Sequence, residues 1–177
     1  MTYKDELKRA MDYLARDPKT VFIGYNVLYG SQANGTLKDV PKGQLIEMPV
    51  AENLMAGLAV GMALEGYKPV VYIERFDFIL NALDAIVNHA DKIKRLSVGE
   101  FDPKIIFRVL VGGSTQPLFT WPTHTQDFTE ALKRLVSFPI SQLRSVPQVF
   151  ADYKSAFDDL ACSTLLIEYR DLYNEQV

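Results

Sequence analysis

The run QLIEMPVAENLMAGLAVGMALEGYKPVVYIE, from Gln44 to Glu74, reads as strand, helix and strand in succession. QLIEM (Gln44–Met48) and PVVYIE (Pro69–Glu74) are short and mostly apolar, as strands of a covered sheet are. Between them Leu54–Leu64 carries no charge, and the expected helix covers residues 51–65. A strand–helix–strand crossover joins parallel strands, because a tight hairpin returns the chain antiparallel. Two acids bracket the greasy helix, Glu52 in front and Glu65 behind. Glu65 reads as a solvated helix end. Glu52 needs another explanation.

The same rhythm extends both ways. TVFIGY (Thr20–Tyr25), KIIFRVLV (Lys104–Val111), PISQLRSV (Pro139–Val146) and TLLIEY (Thr164–Tyr169) complete six expected strands. Further helices are expected at about residues 3–16, 78–96, 126–136 and 147–161. The one over 78–96 shows apolar residues at Ile79, Leu83, Ile86, Val87, Ala90 and Ile93, a 3.6-residue stripe. The last starts near Pro147, whose ring suits a first helical position. This alternation predicts an α/β fold: a single domain over residues 1–177, with a mostly parallel sheet of about six strands and helices on both faces. Two long segments, Asn26–Gly43 and Gly112–Asp127, follow strands. They are therefore expected at the carboxyl edge of the sheet, where open α/β sheets bind ligands.

At 177 residues, 48% hydrophobic and 23% charged, the chain can bury a proper core without staples. A net charge of −3 argues against a nucleic-acid or anionic-membrane surface. No apolar stretch reaches the roughly 18 residues of a membrane span. The single cysteine, Cys162, excludes an intrachain disulfide framework. Together with a charged N-terminus that lacks an apolar signal core, it points to a cytoplasmic protein.

Two features carry chemistry. Acids are favoured in the first turn of a helix, which by itself accounts for Glu52. Its neighbours Met48, Val50, Leu54 and Met55 are all apolar, however, so its carboxylate is expected in a poorly solvated place, where it needs a partner or a proton. The spacing after it is E-x-x-x-x-G-Φ-x-x-G-Φ, with Gly57–Leu58 and Gly61–Met62. Each glycine costs a helix about 1 kcal/mol against alanine, so two imply a close approach, within the domain or against another chain. The second feature is His124 in TWPTHTQD, beside Trp121, Pro122 and Thr123, a loop histidine of the type that serves proton transfer. His89, within VNHAD, reads as a helix-surface or interface residue with no catalytic role.

The glutamate–glycine spacing resembles the motif of pyrimidine-binding (Pyr) domains in thiamine diphosphate-dependent, transketolase-like enzymes. The surrounding residues, from QLIEMPVAENLMAGLAVGMALEGYKPVVYIERFDFILNALDAIVNHADKIK through PTHTQD to TLLIEYRDLY, are most similar to one relative. That relative is the N-terminal domain of the beta subunit in the dehydrogenase component of 2-oxo-acid (pyruvate) dehydrogenase complexes. The resemblance implies that Glu52 hydrogen-bonds the aminopyrimidine ring nitrogen and favours the imino tautomer, which removes the thiazolium proton. It implies that Phe78, in preference to Phe76, stacks on the pyrimidine, and that His124 lines the reaction channel. Tyr25 and Asn26 stand where the dehydrogenase beta subunits usually place acids near the thiazolium end of the cofactor. They are candidate cofactor-binding residues with a changed charge.

The resemblance also says what to look for elsewhere. The diphosphate and its Mg²⁺ belong to a domain carrying a GDG motif, and this chain has no GDG; Asp77, Asp84 and Asp91 lack that context. A partner, an alpha-type diphosphate-binding subunit, is therefore expected, with two copies of each chain. No metal ligands and no further C-terminal transketolase-type domain are expected here. The implied function is a 2-oxo-acid decarboxylase or dehydrogenase, active only with its partner. Split transketolase-type ketol transfer and a non-catalytic regulatory module are the alternatives. An unrelated flavodoxin-like nucleotide binder has no phosphate fingerprint to support it.

Overall fold

The computed structural model describes residues 1–114, 122–159 and 161–176. Helix α1 (Tyr3–Leu14) starts at a capping box in which the Thr2 hydroxyl takes the Asp5 N–H and the Asp5 carboxylate takes the Thr2 N–H. The strands are β1 (Thr20–Gly24), β2 (Leu45–Glu47), β3 (Lys68–Ile73), β4 (Ile106–Val111), β5 (Ile140–Gln142) and β6 (Thr164–Tyr169). They form one sheet in the order β2-β1-β3-β4-β6-β5, and every neighbouring pair is parallel. The βαβ unit read from Gln44–Glu74 is there, with α2 (Glu52–Leu64) between β2 and β3.

Strand alternation sorts side chains to two cores. Phe107, Val109 and Val111 of β4 face the layer formed by α2 and the segment after β3. Ile106 and Leu110 face α1 and α5 (Val146–Asp158). A sheet covered on both faces needs apolar residues at both registers, and β4 is buried at all six positions. From β1 the chain moves outward to β2, then returns to the other side of β1 for β3. The β1/β3 boundary is therefore a topological switch point, where loops diverge and leave a crevice.

Three elements differ from expectation. The helix expected over 78–96 is broken into a 3-10 segment (Phe76–Ala82), a π segment (Asp84–Ala90) and one α turn, α3 (Ile93–Leu96). At the first junction the Ala85 N–H goes to the Asn53 side-chain oxygen at 3.2 Å, so a side chain from α2 enters the helical ladder. The buried face shifts with the winding: Ile79, Ile86 and Ala90 of the expected stripe are buried, Leu83, Val87 and Ile93 are half-buried, and Ala82 and Ala85 join the core instead. The helix expected over 126–136 is the single turn α4 (Thr129–Leu132), and the strand expected over 139–146 narrows to three-residue β5 at the sheet edge. Gly57 and Gly61 lie on the outward face of α2, and a Cβ at either would meet nothing within 4 Å. The close approach they permit is not made among the described residues.

Candidate functional site

The switch point holds a pocket of about 190 Å³ lined by Tyr25, Val50, Glu52, Met55, Tyr72, Glu74 and Phe78. Each lining element comes from a carboxyl edge: Tyr25 directly follows β1, Val50 and Glu52 follow β2, and Glu74 and Phe78 follow β3. A larger cavity of about 250 Å³, between α5 and β5–β6, contains none of the expected site residues.

Glu52 is the first residue of α2 and only 4% exposed. Its burial has a different source from the one expected of its sequence neighbours. Val50 and Leu54 are 61% and 55% exposed; the cover comes from Met55 and the pocket's other walls. Helix N-terminal N–H groups favour a carboxylate here, and the Ala51 cap offers no competing side chain. Among the described residues the carboxylate accepts one side-chain hydrogen bond, from Asn81 Nδ2 at 3.4 Å. That is a long bond, so most of the acceptor capacity of a buried acid is left for a ligand.

The two phenylalanines part company. Phe76 is fully buried in the core, edge-on to Phe128 at 6.0 Å, while Phe78 faces the pocket. Phe78 also meets the His124 ring edge-on, centroids 5.1 Å apart at 83°. The structure thus brings Glu52, Phe78 and Tyr25 to one pocket, with His124 outside its lining but against the Phe78 ring. His124 is half-buried, its Nδ1 lying 3.2 Å from the Thr123 hydroxyl. Trp121, expected beside it, lies outside the described residues. His89 is exposed and pairs with Asp84 on the surface.

Asn26 does not line the pocket. Its backbone is left-handed, φ 59°, a conformation asparagine tolerates better than most residues. Its Nδ2 donates to Glu74 Oε1 at 3.1 Å. Sequence reading passed over what holds this turn: Glu47, the last residue of β2. Its carboxylate accepts the backbone N–H groups of Asn26 (2.7 Å), Val27 (3.0 Å), Leu28 (2.7 Å) and Tyr29 (3.3 Å). Glu74, a second acid of the pocket, was passed over too. Both end apolar strands, in QLIEM and PVVYIE, and an acid at the carboxyl end of a covered strand is the signal that would have found them.

Behind the His124 segment, Asp127 takes the Tyr169 hydroxyl at 2.9 Å and both the N–H and the hydroxyl of Thr129. Burial pushes its carboxyl up, but these bonds and nearby Arg144 outweigh burial and leave it below the usual range. Burial, then Asp127, pushes the Tyr169 hydroxyl up to about 12. Among the described residues no three His, Cys, Asp or Glu side chains gather as a metal site.

The family described as the transketolase pyrimidine-binding domain matches residues 1–113. The mitochondrial pyruvate dehydrogenase E1 component subunit beta of Saccharomyces cerevisiae is 34% identical over 161 residues, covering 82% of this chain and 42% of that protein. The corresponding Rickettsia conorii subunit is 33% identical over 134 residues, covering 73% of this chain and 40% of its own length. The chain thus spans about two fifths of these relatives. Among solved structures, a split-gene transketolase described as an inactive beta4 tetramer superimposes with a TM-score of 0.73. It is 17% identical and covers 96% of this chain and 52% of its own, which shows a shared fold.

Proposed function

This chain belongs to the family of transketolase-type pyrimidine-binding domains, and from that membership we propose that it is the pyrimidine-binding subunit of a heteromeric thiamine diphosphate-dependent enzyme acting on a 2-oxo acid. The observation that carries the proposal is the buried, under-bonded Glu52 carboxylate in a pocket faced by Phe78. The pocket suits an aminopyrimidine: its volume takes one small ring, its walls include Val50, Met55 and Phe78, and its buried acceptor matches a protonated ring nitrogen. When bound, thiamine diphosphate supplies the electron sink for breaking or forming a bond beside a carbonyl.

The chain's own residues prepare that event. Glu52 holds a proton at the pyrimidine nitrogen, and in a dry crevice one such bond is stronger than in water. Phe78 and Met55 keep water from the ring and fix its plane. His124, at the edge of Phe78, moves a proton to or from the substrate or steadies its oxyanion. Tyr25 brings a hydroxyl to the same crevice, and Asn26 acts through Glu74.

The diphosphate and Mg²⁺ belong, on this reading, to an alpha-type partner with a GDG motif, in a heterotetramer with two copies of each chain. The outward Gly57–Gly61 strip, beside exposed Leu54 and Leu64, offers a face on which another helix can lie closely. Ketol transfer, as in a split transketolase, is the second reading. The neutral Tyr25–Asn26 pair favours it, because the carboxylates expected there in a dehydrogenase are missing.

The deciding experiment uses the co-purified pair. Calorimetry with thiamine diphosphate and Mg²⁺ should show binding to both wild type and Glu52→Gln. Proton exchange at the thiazolium carbon should fall at least about tenfold in the variant, equivalent to about 1.4 kcal/mol. Equal exchange in both proteins removes Glu52 from the chemistry, and absence of binding to the wild-type pair removes the cofactor. Turnover of 2-oxo acids against ketoses then separates the two readings.

A further inference from the structure

Asp77 stands between Phe76 of the core and Phe78 of the pocket, and it is 7% exposed. One carboxylate oxygen, Oδ1, accepts Gln126 Nε2 at 2.8 Å. The other, Oδ2, is buried with no hydrogen-bond partner among the described residues. Gln126 is exposed and lies two residues after His124, in the segment leading to α4. His124 is constrained again at its carbonyl, which fills the space beside Gly112 where a side chain would project. A Cβ there would lie 1.9 Å from the His124 oxygen.

We propose that Asp77 is a positioning residue for His124: through Gln126 it ties the histidine segment to the turn bearing Phe78 and sets the imidazole against that ring. The Asp77 end of the bond is almost fully buried, so the acceptor is fixed in place while the exposed Gln126 reaches to it. The latch joins the backbone turn that presents Phe78 to the loop that presents His124. The pair therefore moves as one unit at the pocket edge.

Imidazole NMR of the 177-residue chain tests this without cofactor or partner, so the outcome is separate from the fate of the functional proposal. The chain has two histidines, and His89→Gln assigns them. In wild type the His124 ring protons should be displaced by the Phe78 ring current, and Phe78→Leu should abolish the displacement. Gln126→Ala and Asp77→Ala should each lose at least half of it. Asp77→Asn should keep it, because the amide carbonyl still accepts from Gln126, and should melt no lower than wild type because the unmet charge is gone. If Asp77→Ala does not fold, Gln126→Ala, altered at an exposed side chain, carries the test. Unchanged His124 resonances in Gln126→Ala, or loss of the displacement in Asp77→Asn, would overturn the assignment.

Discussion

Glu47 and Glu52 are five positions apart and do opposite things with the same functional group. Glu47 spends its carboxylate on four consecutive backbone N–H groups, so it is a structural acceptor that shapes the turn behind Tyr25. Glu52 is buried with a single long bond and stays available. The contrast gives a prediction at this scale. Glu47→Ala strands donors that are bonded to a charged group, so it should cost about 2–3 kcal/mol and lower the melting temperature by roughly 5–10 °C in a domain of this size. Denaturant melts check it, and a loss within error of zero would mean that water replaces the carboxylate freely. Glu52 was legible from sequence because its motif extends over eleven residues, Glu52 to Met62. Glu47 was not, because nothing local shows that the chain from Asn26 will fold back over the end of β2.

At the scale of elements, the segment after β3 shows pattern and conformation separating. Ile79, Ile86 and Ala90 of its expected apolar stripe are buried, while Leu83, Val87 and Ile93 are only half-buried, and the backbone is 3-10, then π, then α. Periodicity reports which face meets the core. It does not report that Asn53 will take the Ala85 N–H and change the winding. The short β5 and the single turn of α4 follow the same logic: edge elements are trimmed by what packs beside them. The β4-to-α4 connection is held by a similar tertiary contact at Gly112. Gly112→Ala forces the new methyl group against the His124 carbonyl and should destabilise the fold by about 1–3 kcal/mol, the usual cost of overpacking. It should also displace the His124 resonances. A stable Gly112→Ala protein with an unmoved histidine would contradict the close approach.

For the whole molecule, the α1/α5 side of the sheet contains a buried polar cluster. Arg108 and Glu168, both 0% exposed, pair at 2.5 Å, and Tyr153 and Tyr173 donate to the two oxygens of Glu168. Tyr3 stacks on Tyr173 at 5.9 Å, and a bridge between Thr2 and Gln176 brings the two ends of the described chain together. Burial first, and Glu168 after it, pushes the hydroxyls of Tyr3, Tyr153 and Tyr173 well above the ordinary 10; burial does the same for Tyr72. A folded-state value above the unfolded one means stability that is complete below about pH 10 and lost as pH rises beyond it. A tyrosinate absorbance titration should therefore show these four of the nine tyrosines ionising only as the chain unfolds. Ionisation of all nine in a protein with intact far-ultraviolet dichroism would refute the buried network. From the chain of letters alone came the alternating α/β layout, the parallel sheet and the candidacy of Glu52, because periodicity and a spaced motif are local properties of a polymer; Phe78, His124, Tyr25 and Asn26 became candidates only through the family resemblance that the motif carries. Which acids stay free, which are consumed as backbone acceptors, and how His124 meets Phe78 were decided only when distant segments closed on one another, since a hydrogen bond depends on what stands opposite it in space.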